Sequence, residues 1–208
     1  YACWNKELDC VSVETACTDD KVKFYTALYH SFLFPYIVSD IDDECVKYAG
    51  FSPWDTFRSL HPLLSLLKPE RQRQMVASLM HDYRAGTALP KGPMSGFHII
   101  PILLDAAVKE TTDWDVKQLF EASLALWRSY RSNSFLNDYL ENGFVDASQE
   151  RSVSITSELA YNDWCLARLA VLAGQPDEAQ LHAIRSFSYR NLLDTETGFL
   201  LPRNKDTF

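Results

Sequence analysis

The sequence lacks long hydrophobic runs and long runs of charge of one sign. No apolar stretch approaches the roughly 20 residues that span a bilayer, so we expect no membrane partner. The formal net charge is −8 at pH 7, whereas binding to a phosphate backbone depends on clustered Lys and Arg. We therefore expect no nucleic acid partner either.

Several catalytic motifs are also missing. The chain contains no G-x-G-x-x-G, P-loop, H-E-x-x-H or G-x-S-x-G pattern, which argues against nucleotide enzymes, zinc peptidases and α/β-hydrolases. The 5 cysteines are an odd number, and their spacing matches no zinc pattern. They are interpreted either as small buried hydrophobic residues or, if the protein is secreted, as a source of a disulfide among Cys3, Cys10, Cys17 and Cys45.

The sequence begins without Met and without the basic and apolar segments of a signal peptide. We interpret the chain as part of a longer protein. Its 208 residues are 47% hydrophobic and 13% aromatic, which is enough to bury a sizeable core and too apolar for a disordered chain. One domain, or a large part of one, is expected.

The sequence does contain a succession of amphipathic helical patterns. Hydrophobic residues recur at helical spacing in about eight segments, separated by turns with Gly or Pro. Consecutive helices joined by short turns pack as antiparallel neighbours, so the predicted fold class is all-α. One short strand is predicted at Cys10–Glu14, and a kink is expected at Pro101. Helices are predicted from Asp19 to Pro35, Asp55 to Leu67, Lys68 to Gly86, Phe97 to Asp105, Asp115 to Arg131, Phe135 to Asn142, Ser152 to Ala173 and Asp177 to Leu193.

The segment around Trp54 joins polar side chains to core residues. Trp54, Asp55 and Arg58 stand just before an apolar run. In one interpretation, Asp55 or Thr56 caps a helix, and Asp55 pairs with Arg58 on the surface. In the other, an indole face beside a carboxylate and a guanidinium binds a sugar ring, which offers an apolar C–H face and a fringe of hydroxyls.

The loop Ser39–Glu44 is acidic and contains Asp40 and Asp42. Its oxygen atoms could bind a hard cation, but the loop is not an EF-hand because Cys45 stands where that motif needs Gly. A solvated acidic turn is the alternative interpretation.

Polar residues also occur within strongly apolar helical segments. His98 is interpreted either as a hydrogen-bonded core residue or as a ligand contact. Glu158 and Asn162 are four residues apart and share a helix face, with Asp163 beside them. Acidic groups on a buried helix are costly unless they are bonded, so Glu158 and Asp163 are expected to have either a structural partner or a substrate role.

Ordered blocks of the sequence carry a family resemblance. They are Phe24–Ser31, Phe34-Pro35, Ser39–Asp42, Trp54–Leu64, Gly96–His98, Ser152–Ser154, Ala160–Cys165, Tyr189–Leu192 and Asp194–Phe199. In this order, covering roughly residues 4 to 205, they resemble glycoside hydrolase family 92.

The resemblance implies a calcium-dependent, inverting exo-α-mannosidase that removes terminal α-linked mannose, with α-1,2 linkages favoured, from N-glycans or related mannans. The implied fold is an α/α toroid of helical hairpins, with about half of the ring present. Residues 1–20 would form a linker with a short strand, and residues 21–208 the N-terminal part of the toroid. A secreted or extracytoplasmic location is also implied.

In the family, the catalytic acid, the base and the calcium ligands follow the counterpart of Arg203-Asn204. No catalytic or metal-binding residue is therefore assigned within this chain, and the remainder of its own catalytic domain is an expected partner beside the mannose-containing glycan. The resemblance places eight residues as substrate contacts: Trp54, Asp55, Arg58, Asp40, Asp42, His98, Glu158 and Asp163.

The sequence also departs from the family pattern. The Gly-rich stretch that precedes Gly96-Phe97-His98 in the family is missing, and Asn162 replaces an Asp. A second hypothesis is therefore a non-catalytic carbohydrate-binding or structural helical domain that kept the scaffold.

Overall fold

The computed structural model describes residues 1–40, 45–92, 94–129 and 134–205. Helices dominate this part of the chain, which confirms the all-α class. The helices are α1 Ala2–Leu8, α2 Thr18–Ser31, α3 Pro53–Thr56, α4 Leu60–Leu67, α5 Pro69–Arg84, α6 Ile99–Val108, α7 Val116–Ser129, α8 Ser134–Asn142, α9 Ser152–Leu172 and α10 Pro176–Arg185, followed by a 3-10 helix at Ser188–Leu192. None of these helices is both long enough and apolar enough to span a bilayer.

The strands are limited to one small antiparallel hairpin in the described residues. Strand β1 (Tyr36–Ile37) pairs with β2 (Tyr48–Ala49), with Tyr36 opposite Ala49. The hairpin rests on α5, because the Tyr48 backbone N–H donates to the Ser78 hydroxyl at 2.9 Å.

Helix α9 is the element around which the other helices pack. It contacts α6, α7, α8, α10 and the 3-10 helix. Only three residues separate α9 from α10, so the two helices form an antiparallel hairpin. The prediction that α9 is buried on most sides holds for the face with Leu159, Leu166 and Leu169, whereas Trp164 is 48% exposed.

The core consists of two hydrophobic clusters. The larger one lies among α5, α6, α7 and α9 and includes Leu79, Phe97, Leu103, Trp127 and Leu166. The smaller one joins α2, β2, α4 and α5 through Leu28, Phe32, Tyr48, Leu64 and Met75. Phe51 packs against both clusters, so the residues just before α3 lie where the two clusters meet.

The prediction of a single helix from Asp55 to Leu67 is wrong. The structure contains α3 and α4, separated by a turn at residues 57–59. Pro62 explains the break, because a proline ring inside a helix clashes with the carbonyl four residues earlier, here that of Arg58. Helix α4 therefore begins at Leu60, and neither Asp55 nor Thr56 caps it.

Other differences have similar local causes. Pro101 lies in the first turn of α6, where a helix does not need the N–H that proline lacks. The helix therefore begins near Pro101, and the prediction of a kink there is wrong. Helix α10 ends at Arg185 rather than Leu193. No strand forms at Cys10–Glu14; the Tyr25 hydroxyl instead donates to the Val11 carbonyl at 2.9 Å and holds this segment against α2.

The remaining predicted helices, which correspond to α2, α5, α7, α8 and α9, are confirmed to within a few residues in their described parts. The cysteines are all free thiols, and only Cys165 is buried, so the interpretation as buried small residues holds for that cysteine alone. The division of the chain at residue 20 stays a prediction.

Candidate functional site

Short α3 carries Trp54 and Asp55, and the turn after it carries Arg58. Pro53 occupies the first position of this helix, and the Phe57 backbone N–H closes the turn on the Pro53 carbonyl at 3.0 Å. Asp55 is exposed and accepts a hydrogen bond from the Ser52 hydroxyl through Oδ2. The Trp54 ring is half-buried, and the Arg58 side chain is 51% exposed.

The Gly96–His98 turn places His98 at the start of α6. Gly96 has φ +82°, and a side chain there would overlap the His98 ring. The Phe97 backbone N–H donates to Asn162 Oδ1 at 2.7 Å, which ties the turn to α9. His98 is consequently buried, with 1% of its surface exposed, and its ring faces α9.

Glu158 on α9 joins these two segments. Its Oε1 accepts a hydrogen bond from Trp54 Nε1 at 3.2 Å and lies 3.8 Å from the Arg58 guanidinium. Its Oε2 lies 2.6 Å from His98 Nε2. The structure thus brings together four of the residues predicted from the sequence, Trp54, Arg58, His98 and Glu158, which we call the Glu158 cluster.

The electrostatics of the cluster favour an ionised Glu158. Burial raises the pKa of Glu158, but the hydrogen bond and charge of His98, the Trp54 indole and the Arg58 guanidinium outweigh burial, so this pKa lies below its ordinary value of 4.5. An ionised carboxylate only accepts hydrogen bonds, and His98 Nε2–H is therefore the donor.

Aromatic rings form a layer behind the exposed residues. Phe57 packs on His98 with ring centroids 4.4 Å apart and on Tyr161 at 5.6 Å. The Arg58 guanidinium lies 4.8 Å from the centre of the Trp54 ring and 4.6 Å from that of Phe57, within cation–π range. Asp55 and Arg58 are exposed and Trp54 is half-buried, and Arg58 pairs with Glu158 rather than with Asp55 in the described residues.

An open depression of about 540 Å³ lies beside the cluster. It is lined by the start of α9, from Ser152 to Glu158, together with Ala147 and Pro202. Glu158 therefore keeps part of its surface accessible, with 21% of its side chain exposed.

Asp163 lies in a different environment from the Glu158 cluster. It is fully buried, and it accepts hydrogen bonds from His182 Nδ1 at 2.5 Å and from the Tyr139 hydroxyl at 2.6 Å. Burial raises the pKa of Asp163, although the hydrogen bonds from His182 and Tyr139 oppose this effect. The same burial, with the neighbouring Asp163 charge, raises the pKa of Tyr139. These contacts join α9 to α8 and α10.

The acidic loop is only partly described. Asp40 is exposed in the connection between β1 and β2, next to Ser39, whose hydroxyl accepts a hydrogen bond from the Lys47 backbone N–H at 3.1 Å. Asp42 lies outside the described residues. Within residues 1–40, 45–92, 94–129 and 134–205, no group of three or more His, Cys, Asp or Glu side chains is arranged to hold a metal ion.

Sequence reasoning missed two residues that contact this segment, Ser52 beside Asp55 and Tyr161 beside Phe57. Ser52 was not singled out, although its position three residues before Asp55 is typical of a residue that bonds within the first turn of a helix. Tyr161 stands three residues after Glu158, so helical spacing could have placed it on the same face. The shared face of Glu158 and Asn162 is confirmed, since both hold the Gly96–His98 turn.

Solved structures share the fold of this chain. The chain is 32% identical to the family GH92 α-mannosidase BT3965 from Bacteroides thetaiotaomicron, solved in complex with mannoimidazole, with a TM-score of 0.89 over 99% of this chain and 30% of that chain. It is 27% identical to the GH92 inverting mannosidase BT2199 from Bacteroides thetaiotaomicron VPI-5482, with a TM-score of 0.89 over 99% of this chain and 32% of that chain.

A third solved structure, the GH92 glycosyl hydrolase ccman5, is 20% identical with a TM-score of 0.71, and this likeness shows the fold alone. A search of curated proteins gave no match. The chain spans about a third of the length of the solved structures that it matches.

The family comparison covers the whole sequence. The model of the glycosyl hydrolase family 92 catalytic domain matches residues 1–208. The solved relatives share its helical arrangement over nearly all of its length, which confirms the expected part of an α/α toroid. The chain therefore belongs to glycoside hydrolase family 92.

Proposed function

We propose that this protein is a glycosidase that hydrolyses terminal α-linked mannose with inversion, and that α-1,2 linkages in N-glycans or mannans are its substrates. The observation that carries the proposal is the Glu158 cluster, in which the Glu158 carboxylate holds the Trp54 indole and lies beside the Arg58 guanidinium, while Asp55 of the same segment is exposed. Family membership and the mannosidase relatives support the reaction class.

The exposed side chains suit a pyranose ring. The Trp54 indole offers a flat apolar surface for the C–H face of a sugar. Asp55 accepts the Ser52 hydroxyl through Oδ2, and no hydrogen bond from the described residues reaches its Oδ1, which can accept a sugar hydroxyl. Arg58 supplies N–H donors to ring or hydroxyl oxygens.

The catalytic pair is proposed to come from the remainder of the catalytic domain. Inverting hydrolysis needs one carboxylic acid to protonate the leaving oxygen and one carboxylate to activate water, about 6.5–9.5 Å apart. Glu158 is ionised and Asp163 is buried, so neither is suited to protonate the glycosidic oxygen. Calcium is the proposed cofactor, with ligands from that remainder, and an extracytoplasmic location would give access to glycans.

The proposal is tested with the full-length protein that carries this sequence. Hydrolysis of α-1,2-linked mannobiose is followed by proton NMR, with calcium and with a chelator. We expect β-mannose to form first, a slower reaction with the chelator, and slower hydrolysis of α-1,3-linked mannobiose. A first product with retained α configuration would contradict inversion, and no hydrolysis of any α-mannoside would favour a non-catalytic glycan-binding domain instead.

A further inference from the structure

Both oxygen atoms of the Glu158 carboxylate are engaged by protein groups. Oε1 accepts from Trp54 Nε1 and faces Arg58, while Oε2 accepts from His98 Nε2. Each carboxylate oxygen carries two lone pairs, so these contacts do not use every acceptor position of Glu158, and 21% of its side chain is exposed. The contacts do orient both oxygens toward neighbouring protein side chains.

The contacts of Glu158 connect segments that are distant in sequence. Trp54 stands 104 positions before Glu158, and His98 stands 60 positions before it. Trp54 and Arg58 come from the short α3 and the turn after it, a segment with few backbone hydrogen bonds of its own. Helix α9 is the rigid element in the cluster, because it packs against α6, α7, α8, α10 and the 3-10 helix.

The side of the cluster away from solvent is fixed. His98 is held between the Phe57 ring, Gly96 and α9, and Asn162 fixes the adjoining backbone. His98 therefore holds one oxygen of Glu158 in place, and the other oxygen points to Trp54 and Arg58. The ion pair with the exposed Arg58 is long at 3.8 Å and adds little stability by itself, but the guanidinium also lies 4.8 Å from the centre of the Trp54 ring, which Glu158 holds.

We propose that Glu158 is a positioning residue, which fixes the indole of Trp54 and the guanidinium of Arg58 for the sugar without contacting the sugar itself. The inference rests on the proposed function. The sequence left Glu158 with either a structural partner or a substrate role, and the inference favours the structural partner. His98 acts one step further back, by orienting the carboxylate of Glu158.

The first test observes the positioning directly and needs no substrate. The Trp54 indole N–H resonance is identified in the full-length protein that carries this sequence by its loss in Trp54→Phe. In Glu158→Ala we expect this resonance to move and its exchange with solvent to accelerate. Glu158→Gln keeps an acceptor oxygen and should return the resonance toward the wild-type position. An unchanged resonance in Glu158→Ala would overturn the inference.

A matched control is Glu121→Ala, since Glu121 is an exposed glutamate in the interior of α7. It should leave the Trp54 resonance in place. Because Glu158→Ala removes the partner of a buried histidine, each variant is first checked for cooperative unfolding. If Glu158→Ala does not fold, Glu158→Gln and Glu158→Asp provide the same comparison, and a shortened side chain in Glu158→Asp should move the resonance.

The second test measures hydrolysis by the full-length protein. Glu158→Ala should lower kcat/KM ~10-fold or more in the wild type. The same change should lower kcat/KM much less in Trp54→Ala, because both changes disturb the same sugar-binding surface. If Glu158 instead contacts a sugar hydroxyl, the wild type would hydrolyse the deoxymannoside that lacks this hydroxyl more slowly than the mannoside. Glu158→Ala would hydrolyse the two substrates at the same rate, and that result would overturn the inference. No hydrolysis by the wild type would count against the proposed function, whereas the indole resonance would still decide the role of Glu158.

Discussion

At the scale of single residues, the site depends on close contacts that sequence patterns only partly reveal. Trp54, Asp55 and Arg58 could be chosen as candidates because an indole, an acid and a guanidinium lie within five positions, and their role as substrate contacts stays a prediction. The pairing of Glu158 with Trp54 could not be predicted, since the two residues are 104 positions apart and only the packing of α9 brings them together. Asp163, which looked equally suitable in sequence, is fully buried with Tyr139 and His182.

Gly96 gives a first prediction. Gly96→Ala should lower the free energy of unfolding by about 1–3 kcal/mol, because φ is +82° and the new Cβ would overlap the His98 ring. Gly86→Ala is the control, since Gly86 has φ +80° and no neighbouring atom lies within 4 Å of the place that its Cβ would occupy. Denaturant unfolding of both variants separates the contact from the backbone strain. Equal losses in the two variants would contradict the close packing of His98.

The ionisation of Glu158 gives a second prediction. Its pKa is lower in the folded protein than the ordinary value of 4.5, so its charge stabilises the fold above that pH, and this stabilisation is lost as pH falls through the folded pKa. Wild type and Glu158→Gln are compared by denaturant unfolding from pH 7 to pH 3. We expect the stability advantage of the wild type to be constant near neutrality and to shrink below about pH 4.5. An advantage that grows as pH falls would contradict the direction of the shift.

At the scale of elements, helical spacing predicted the long helices but not where α3 ends. The periodicity of Phe57, Leu60 and Leu64 suits one helix, and the proline at position 62 prevents it. The break matters for the site, because it leaves Trp54 and Arg58 on a short helix and a turn that need support from α9. The end of α10 at Arg185 was missed for a different reason, since no Gly or Pro marks that position in the sequence.

The junction of α8, α9 and α10 gives a third prediction. The Tyr139 hydroxyl donates to Asp163 at 2.6 Å and also lies 3.0 Å from the Arg185 carbonyl, at a fully buried position. Tyr139→Phe should cost about 1–3 kcal/mol of unfolding free energy, because it leaves a buried acceptor unpaired. Tyr29→Phe is a suitable control, since its hydroxyl makes no hydrogen bond within the described residues. A Tyr139→Phe variant as stable as the wild type would show that the Asp163 bond is not needed.

At the scale of the whole molecule, several large apolar side chains are exposed on α9, on α10 and in the residues that follow. Trp164 is 48% exposed, Phe187 52%, Ile184 65% and Phe199 70%, along α9, α10 and the residues that follow. Exposed apolar surfaces of this kind mark places where protein surfaces associate. The expectation of a partial ring of helical hairpins accounts for this face, since each hairpin of such a ring packs against the next.

We therefore predict that the 208-residue chain, expressed alone, binds a hydrophobic dye and self-associates. Replacing Ile184 and Phe187 with Glu should reduce both effects, whereas the same change at the exposed Val22 of α2 should not. Sedimentation velocity and dye fluorescence measure the two effects. A monodisperse monomer that binds no dye would contradict this account of the exposed face.

The central claim is that Asp55 and its neighbours bind the sugar in an α-mannosidase. Its most direct test is the rate of mannose release from α-1,2-linked mannobiose by the full-length protein and by its Asp55→Asn variant, with Asp19→Asn as an exposed helix-start control. We predict release by the wild type, a loss of ~10–100-fold in Asp55→Asn from weakened hydrogen bonds to a charged acceptor, and no comparable loss in the control. Release by Asp55→Asn at the wild-type rate, or no release by either protein, would contradict the claim.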